Sequence, residues 1–510
     1  MKIAKIIYPF LLLIAIGISS WLLVNSRWGV GVSHDSIIYL SSARNLVENN
    51  GLRWSASDGN LNLLTHFPPL YSLAIATFIT TGLSALQAAT WMAVILIGLN
   101  VFTAGFLVYH FSQSKVLSIL AAVALAVSGV FINLHLVALS EPLFIWLVMC
   151  GIGALGVYFE KLSLRTLLAA AFFAALVLLT RYAGIAVIAT GFLAIALIDK
   201  SPIRKRIAHF LTYLAVSLIP LILWTARNQI LSGSMTNRSL VYHALEWGNR
   251  KLGFETIADW FTWFPAPYRT TILISGLFLF FLFFLCLWLG WKLVSTRDSK
   301  PSQIGGLRLG FLFILFSLVY LISLFFSLTF FDASIRLDGR ILSPVYISFL
   351  VAIFSILGNL PLRWQWTGGL IFIFFLTLNL PATISTMADF RDNGKGFTGK
   401  NWKESQTVAY IRMAPAGSVI YSNQGLALHF LTGKSIYEIP EKMDVVLNEE
   451  RAQYNSELEL MKDRLGNPGS FIVWFVPSAL PDTILEESGV KFEPFLIFTD
   501  AKFYAMPNNR

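Results

Sequence analysis

The sequence predicts a polytopic α-helical membrane protein, with about 11 transmembrane helices and a small α/β C-terminal extramembrane domain. Three observations carry this. Of 510 residues, 56% are hydrophobic and only 13% charged, whereas a soluble protein is roughly a quarter charged. Apolar runs of bilayer length recur through the first three-quarters of the chain. Charge then changes abruptly: residues 1–390 hold 25 Lys+Arg and 13 Asp+Glu, and residues 391–510 hold 13 and 15. A membrane module over 1–390 and a soluble α/β domain over 391–510 follow. Collagen-like, disordered and disulfide-scaffold classes are excluded.

A span needs about 20 apolar residues. Runs of that kind lie at 6–24, 86–109, 116–134, 142–159, 164–180, 183–198, 208–226, 270–291, 309–330, 341–358 and 366–382, with Arg181 and Gly184 dividing the fifth from the sixth. The first run leads into Asn25-Ser26-Arg27-Trp28 without a small-residue cleavage site, which fits an uncleaved anchor. Loop charge sets the orientation. Lys2 and Lys5 place the N-terminus inside, and alternation then keeps Lys115, Lys161, Arg165, Lys200, Arg204, Lys205, Arg206, Lys292, Arg297, Lys300, Arg308 and Arg363 inside as well. The C-terminal domain falls outside. Both cysteines, Cys150 and Cys286, sit within apolar runs and read as small buried hydrophobes.

Two external loops are too long to be simple turns. Residues 25–85 carry an amphipathic helix pattern (Ile37, Ile38, Leu40, Leu46, Val47), a polar stretch over Ser55–Asn62, and an interfacial helix over 71–83. Residues 232–269 are rich in Trp and Tyr (Tyr242, Trp247, Trp260, Trp263, Tyr268), as expected of segments at a membrane surface. Long loops in compact proteins are usually functional, so the chemistry is expected on this face. In the C-terminal domain, helices are predicted at Trp402–Met413, Gln424–Leu431 and Asp444–Leu465, and strands at Ser418–Ser422, Ser435–Ile439 and Phe471–Val476.

The basic residues of the membrane module differ in kind on its two faces. Inside there are eight Lys and six Arg; outside there are ten Arg and one Lys, Lys251. Arginine suits bidentate binding of phosphate and carboxylate. Contact with lipid head groups accounts for some of these arginines, and an anionic substrate site for the rest. Because the basic residues lie between lipid-length runs, the anionic partners expected are membrane lipids and phosphorylated lipids, not nucleic acid.

External acids are scarce enough to weigh singly. In Ser33-His34-Asp35-Ser36, either Ser33 or Asp35 serves as an N-cap, or Asp35 is a general base for an acceptor hydroxyl. Glu141, at the outer start of a span beside Ser140 and Pro142, either complements the helix dipole or acts in the site. Asp338 and Arg340 form an ion pair tying their loop, or serve the site. His66, ahead of Pro68-Pro69, is a candidate phosphate or metal contact.

Taken in order, these segments resemble the GT-C glycosyltransferases, a group that includes the protein O-mannosyltransferases, the lipid A aminoarabinose transferase and the RgtA/B/C/D-like enzymes. Asp35 four residues before Tyr39, followed by Ala43-Arg44, is similar to the Asp-Glu-x-x-Tyr motif of their first external loop. His66-Phe67-Pro68-Pro69-Leu70-Tyr71 resembles a later Lys/His-Pro-Pro-Leu-Tyr segment, and Ser140-Glu141-Pro142-Leu143 a Thr/Ser-Glu-Pro-Leu segment. Thr180-Arg181-Tyr182, Trp224-Thr225-Ala226-Arg227-Asn228 and Arg340-Ile341-Leu342-Ser343-Pro344 match recurring segments in position and order.

The resemblance implies an inverting transferase that uses a polyprenyl-phosphate-linked sugar on the outer or luminal side of its membrane, with a glycan, lipid or protein as acceptor. The lack of eukaryotic retention signals favours a bacterial inner membrane and hence its periplasmic face. The resemblance also implies Asp35 and Glu141 as the catalytic acids, with Arg340, Arg227, Arg181 and His66 toward the donor phosphate. Tyr39, Arg44 and Asp338 are further loop candidates. Ser36 stands where the family has a second acid, so a divalent metal is left open and no other cofactor is called for. The alternatives are a transporter or flippase of lipid-linked saccharides, and a non-catalytic protein that binds the lipid carrier. A flippase would call for inverted repeats and interrupted midplane spans.

Overall fold

A computed structural model describes residues 6–262, 265–296, 304–415, 417–444, 446–475 and 492–506. Lys2, Lys5, Trp263, Arg297, Lys300 and Val476, all used above, lie outside the described residues. Every predicted apolar run lies on helix. Among the described residues, eight helices are long and apolar enough to cross a membrane, and a ninth span is counted if the bent pair Lys115–Ala126 and Gly129–His135 (57°) is one crossing. The remaining two runs are the shorter helices Leu164–Thr180 and Tyr182–Ile198. The chain is an integral membrane protein. It forms two compact units: one comprises 1–25, 65–71 and 90–389, the other 26–64, 72–89 and 390–510.

The first unit is the helix bundle. Its centre is the helix Gly305–Phe330, whose first 13 residues, 305–317, are all buried. Its own Phe311, Phe313, Phe316 and Tyr320 fill the interior together with Phe144 and Phe354. Helices on the periphery instead keep most of their apolar residues exposed, as surfaces meant for lipid must: in an apolar 18-residue stretch of each, only 28% is buried within Tyr268–Ser295 and 17% within Ile203–Ser232. The break between the two short helices has a local cause. Arg181 is extended (φ −150°, ψ 139°), and a single 3₁₀ turn, Tyr182–Gly184, restarts the helix. A Cβ on Gly184 would lie 2.7 Å from backbone atoms of Leu178, so only glycine lets the chain fold back this closely.

In the second unit, the start of the first long loop and the C-terminal segment share backbone hydrogen bonds. Val32 and Gly396 form a parallel bridge, Phe397 N–H donates to the Val32 carbonyl at 2.8 Å, and Thr398 Oγ1 donates to the Val30 carbonyl at 2.8 Å. Gly396 has φ +55°, and a Cβ there would strike the Val32 carbonyl. The expected amphipathic helix runs His34–Val47, and the interfacial helix Leu70–Ile79. The polar stretch between them is a two-stranded hairpin, Arg53–Ser55 against Leu61–Leu63.

The C-terminal sheet has five strands in the order Tyr437–Glu438, Ile420–Ser422, Phe471–Phe475, Ala501–Ala505, Glu493–Ile497. The first three are parallel and the last two antiparallel to their neighbours. Two predicted helices are corrected. Trp402–Met413 is interrupted, because Ser405 caps a fresh helix, Gln406–Met413, by accepting from Val408 N–H at 3.0 Å. Asp444–Leu465 is helical only over Tyr454–Leu465. Asp444 Oδ1 instead accepts from Val446 and Leu447 N–H, turning the chain into the short hairpin Met443–Asp444 and Glu449–Glu450. Strands Glu493–Ile497 and Ala501–Ala505 went unpredicted.

Candidate active site

The membrane unit gathers two candidate arginines onto a third candidate, one buried carboxylate. Glu141 is 1% exposed and opens the helix Glu141–Lys161. Arg181 Nη1 lies 2.7 Å from its Oε1, and Arg340 Nε lies 3.3 Å from the same oxygen. Arg181 Nη1 also donates to Ser140 Oγ at 3.1 Å. Ser140 occupies the N-cap position but makes no side-chain capping bond, so its hydroxyl serves the arginine. Two guanidiniums against one carboxylate leave a net positive charge, and the arginines, not Glu141, carry the exposure: 22% and 35% against 2%.

The local sequence explains why each arginine stands where it does. Arg181 is at the helix break described above. Arg340 begins the helix Gly339–Leu357, which Asp338 caps by accepting from the N–H groups of Arg340 and Ile341 at 3.0 and 3.1 Å. Asp338 therefore grips backbone, and the Arg340 side chain pairs with Glu141. The loop entering this helix is held by Trp247–Asp259, the helix of the second long loop. Asn249 pairs with the Ile335 carbonyl and the Leu337 N–H at 2.7 and 2.8 Å, and Thr256 Oγ1 donates to the Leu337 carbonyl at 3.1 Å.

Thr65 accepts from the Tyr182 hydroxyl at 3.3 Å, which ties the His66 segment to the residue after Arg181. The His66 ring meets Phe67 edge-on. Arg227 is engaged on its own helix, donating to Asn228 Oδ1 at 2.8 Å with its guanidinium 4.9 Å from the centre of the Trp224 ring.

Several supporting residues escaped the sequence reading. Asn100 Nδ2 donates to the Leu96 and Pro142 carbonyls at 2.9 and 3.0 Å, and lies 3.4 Å from His135 Nε2. His135 Nδ1 donates to the Phe131 carbonyl at 2.9 Å, leaving Nε2 as acceptor. These two wholly buried residues brace the first turn of the Glu141 helix. The Tyr320 hydroxyl donates to the Ile341 carbonyl at 2.8 Å and braces the Arg340 helix. A lone Asn within an apolar run, and a His at the end of another, were the signals available for Asn100 and His135. Nothing distinguished Asn249 from its polar loop.

In the second unit, Asp35 is half-buried in the first turn of His34–Val47. The N-cap is Ser33, which leaves Asp35 outside the capping role, although an acid there still complements the helix dipole. Ser36, the departure from the family pattern, closes a capping box: its hydroxyl accepts from Ser33 N–H at 3.0 Å. Tyr39 is buried, and Arg44 makes an exposed i,i+4 pair with Glu48 at 3.7 Å. His34 stands edge-on to Phe397, and desolvation there lowers its pKa below the usual 6.5 against the raising effect of Asp35. Among the described residues, no group of three or more His, Cys, Asp or Glu is placed to hold a metal ion. Ser36, committed to its cap, supplies no second carboxylate.

The fold is similar to that of two solved proteins, ArnT and the oligosaccharyltransferase AglB. Over 97% of both chains it matches ArnT from Cupriavidus metallidurans bound to undecaprenyl phosphate, with TM-score 0.58 and 12% identity. The apo state of that protein matches over 95% of this chain and 96% of its own, with TM-score 0.55 and 13% identity. The archaeal oligosaccharyltransferase AglB from Archaeoglobus fulgidus, in complex with an inhibitory peptide and a dolichol-phosphate, matches over 92% of this chain and 69% of its own, with TM-score 0.55 and 13% identity. No family model and no curated protein matches the sequence.

Proposed function

We propose that this chain is an integral membrane glycosyltransferase that moves a sugar from a polyprenyl-phosphate donor to an acceptor hydroxyl, with inversion, on the periplasmic face of a bacterial inner membrane. The observation that carries the reading is the pair Arg181 and Arg340 converging on buried Glu141. Support comes from the fold, shared with proteins solved with undecaprenyl phosphate or a dolichol-phosphate.

In this reading the acceptor oxygen attacks the anomeric carbon, the bond from that carbon to the phosphate oxygen breaks, and the acceptor proton passes to Asp35. The lipid phosphate leaves with one more negative charge than it carried as a diester. Arginines that meet this charge stabilise the transition state more than the ground state. Arg340 and Arg181 take that role, with Arg227 and His66 as further phosphate contacts. Glu141 is a positioning residue: a carboxylate shared by two guanidiniums aims both while leaving net positive charge. No step is routed through a metal.

The test is transfer by purified protein in lipid nanodiscs, with a panel of polyprenyl-phosphate sugars and Asp35→Asn alongside. Loss of a general base costs roughly 10²–10⁴-fold, so turnover is expected to fall by that much while donor binding persists. Wild-type turnover in the variant removes Asp35 as the base. Donor binding without turnover in either protein favours a carrier-binding or flipping protein.

A further inference from the structure

The second unit contains a cleft of about 330 Å³ that the transfer reaction does not use. This is near the lower end of small-molecule sites, which run roughly 300–1,000 Å³. One wall is the hairpin of the first long loop, with Trp54 and Asp58; the other is the parallel edge of the C-terminal sheet, with Tyr421, Tyr437 and Glu438. The walls are joined by backbone, since Ile436 N–H donates to the Ser57 carbonyl at 2.8 Å. The cleft is therefore built in advance of any ligand.

Its chemistry is narrow. Tyr421 and Tyr437, register partners on adjacent strands, stack at 5.2 Å, and the Arg464 guanidinium lies 4.4 Å from the centre of the Tyr437 ring. Trp54 adds a third, half-buried ring. Glu438 is aimed by the Leu426 N–H, which donates to Oε1 at 2.8 Å, and a Cβ on Gly425 would lie 2.9 Å from that oxygen. Asp58 is fixed by Asn60 through N–H and Nδ2 contacts of 3.0 and 2.6 Å. Glu457, also at the cleft, pairs with Arg451 at 3.0 Å. Carboxylates thus outnumber the lining arginine, which disfavours a phosphate. Flat rings beside fixed carboxylates and one guanidinium suit a ligand with an apolar C–H face and a rim of hydroxyls. Hydroxyls both donate to carboxylates and accept from arginine.

We propose that this cleft binds a neutral saccharide, a sugar unit of the acceptor, held by Trp54, Tyr437, Glu438 and Arg464 apart from the donor phosphate. Calling the sugar an acceptor rests on the transferase reading; saccharide binding at the cleft does not. The test uses the full chain in nanodiscs and a panel of neutral hexose and pentose tetrasaccharides, with binding followed by saturation-transfer NMR. Polyprenyl phosphate binding is measured on the same preparations.

Saturable binding of a tetrasaccharide is expected, weakened about tenfold or more in Trp54→Ala, a loss of roughly 1.4 kcal/mol. Glu438→Gln should weaken it several-fold while its amide oxygen still accepts from Leu426, and this variant carries the test if Trp54→Ala fails to fold. Polyprenyl phosphate binding should be unchanged in both. If wild-type protein binds polyprenyl phosphate but no saccharide, the cleft assignment falls and the donor reading stands. If it binds saccharide but no polyprenyl phosphate, the cleft stands and the donor reading falls. Saccharide binding indifferent to both variants, or a charged peptide displacing the saccharide, overturns the proposal.

Discussion

In the membrane unit the carboxylate of the candidate site, Glu141, is held by charge, and in the second unit the acids and hydroxyls at caps and turns are held by the backbone. Glu141 meets two arginines with almost no access to water, whereas Ser33, Ser36, Asp58 and Asp444 each satisfy N–H groups at a cap or turn. The two arrangements respond differently to damage. A backbone cap lost at a surface is partly replaced by water. A buried ion-pair partner has no such substitute, so the sharpest way to test the difference is to delete one of each.

Glu141→Ala should have the largest effect on stability. It leaves Arg181 and Arg340 without their shared carboxylate, and breaking a buried pair in this way costs about 3–5 kcal/mol. A clear fall in the thermal midpoint of the detergent-solubilised protein is expected, with Glu141→Gln intermediate. A midpoint equal to wild type would mean that the cluster is open to water and that the contrast between the units is wrong.

Arg340→Ala comes next and is read in turnover. Removing one donor that stabilises developing negative charge costs roughly 10²–10³-fold. Lys251→Ala is the control, since its pair with Glu255 at 3.8 Å is exposed and worth little. Equal losses in both variants would reduce the arginine cluster to general surface attraction.

What was legible in the sequence divides along the same line. The bundle could be read because lipid imposes length and composition on each helix separately: all eleven runs lie on helix. Glu141, Arg181 and Arg340 were visible because charge is rare there, yet that one carboxylate joins both arginines depends on residues 40 and 199 positions apart in sequence. The second unit was harder. Its bridges Val32–Gly396 and Ser57–Ile436 join segments more than 360 residues apart, and nothing in the local pattern of either announces the other. The cleft was therefore invisible to a reading that took the first loop and the C-terminal segment one at a time.

Ser33→Ala tests the backbone side of the contrast. It removes the hydroxyl that accepts from Ser36 N–H, and an N-cap loss costs about 1 kcal/mol. Faster hydrogen exchange in the first turn of His34–Val47 is expected, with the thermal midpoint changing far less than in Glu141→Ala. Comparable losses in the two variants would erase the distinction between charge-held and backbone-held groups.

The smallest effect is expected at Glu438, an exposed residue whose carboxyl lines the cleft. Partial desolvation of the carboxyl raises its pKa above the usual 4.5, helped by nearby Glu441 and opposed by the Leu426 N–H, although the residue as a whole is exposed. A carboxyl whose pKa is raised on folding contributes stability below its unfolded value and loses it as pH climbs through the folded one. At neutral pH the ionised side chain is thus a small net burden. Glu438→Gln, which keeps an acceptor for Leu426, should make the protein slightly more stable at pH 7 and no more stable below pH 4.5. Thermal midpoints of the two proteins should converge as the buffer is acidified. A constant offset at every pH would mean that hydrogen bonding at this position, not the cost of its charge, sets the difference.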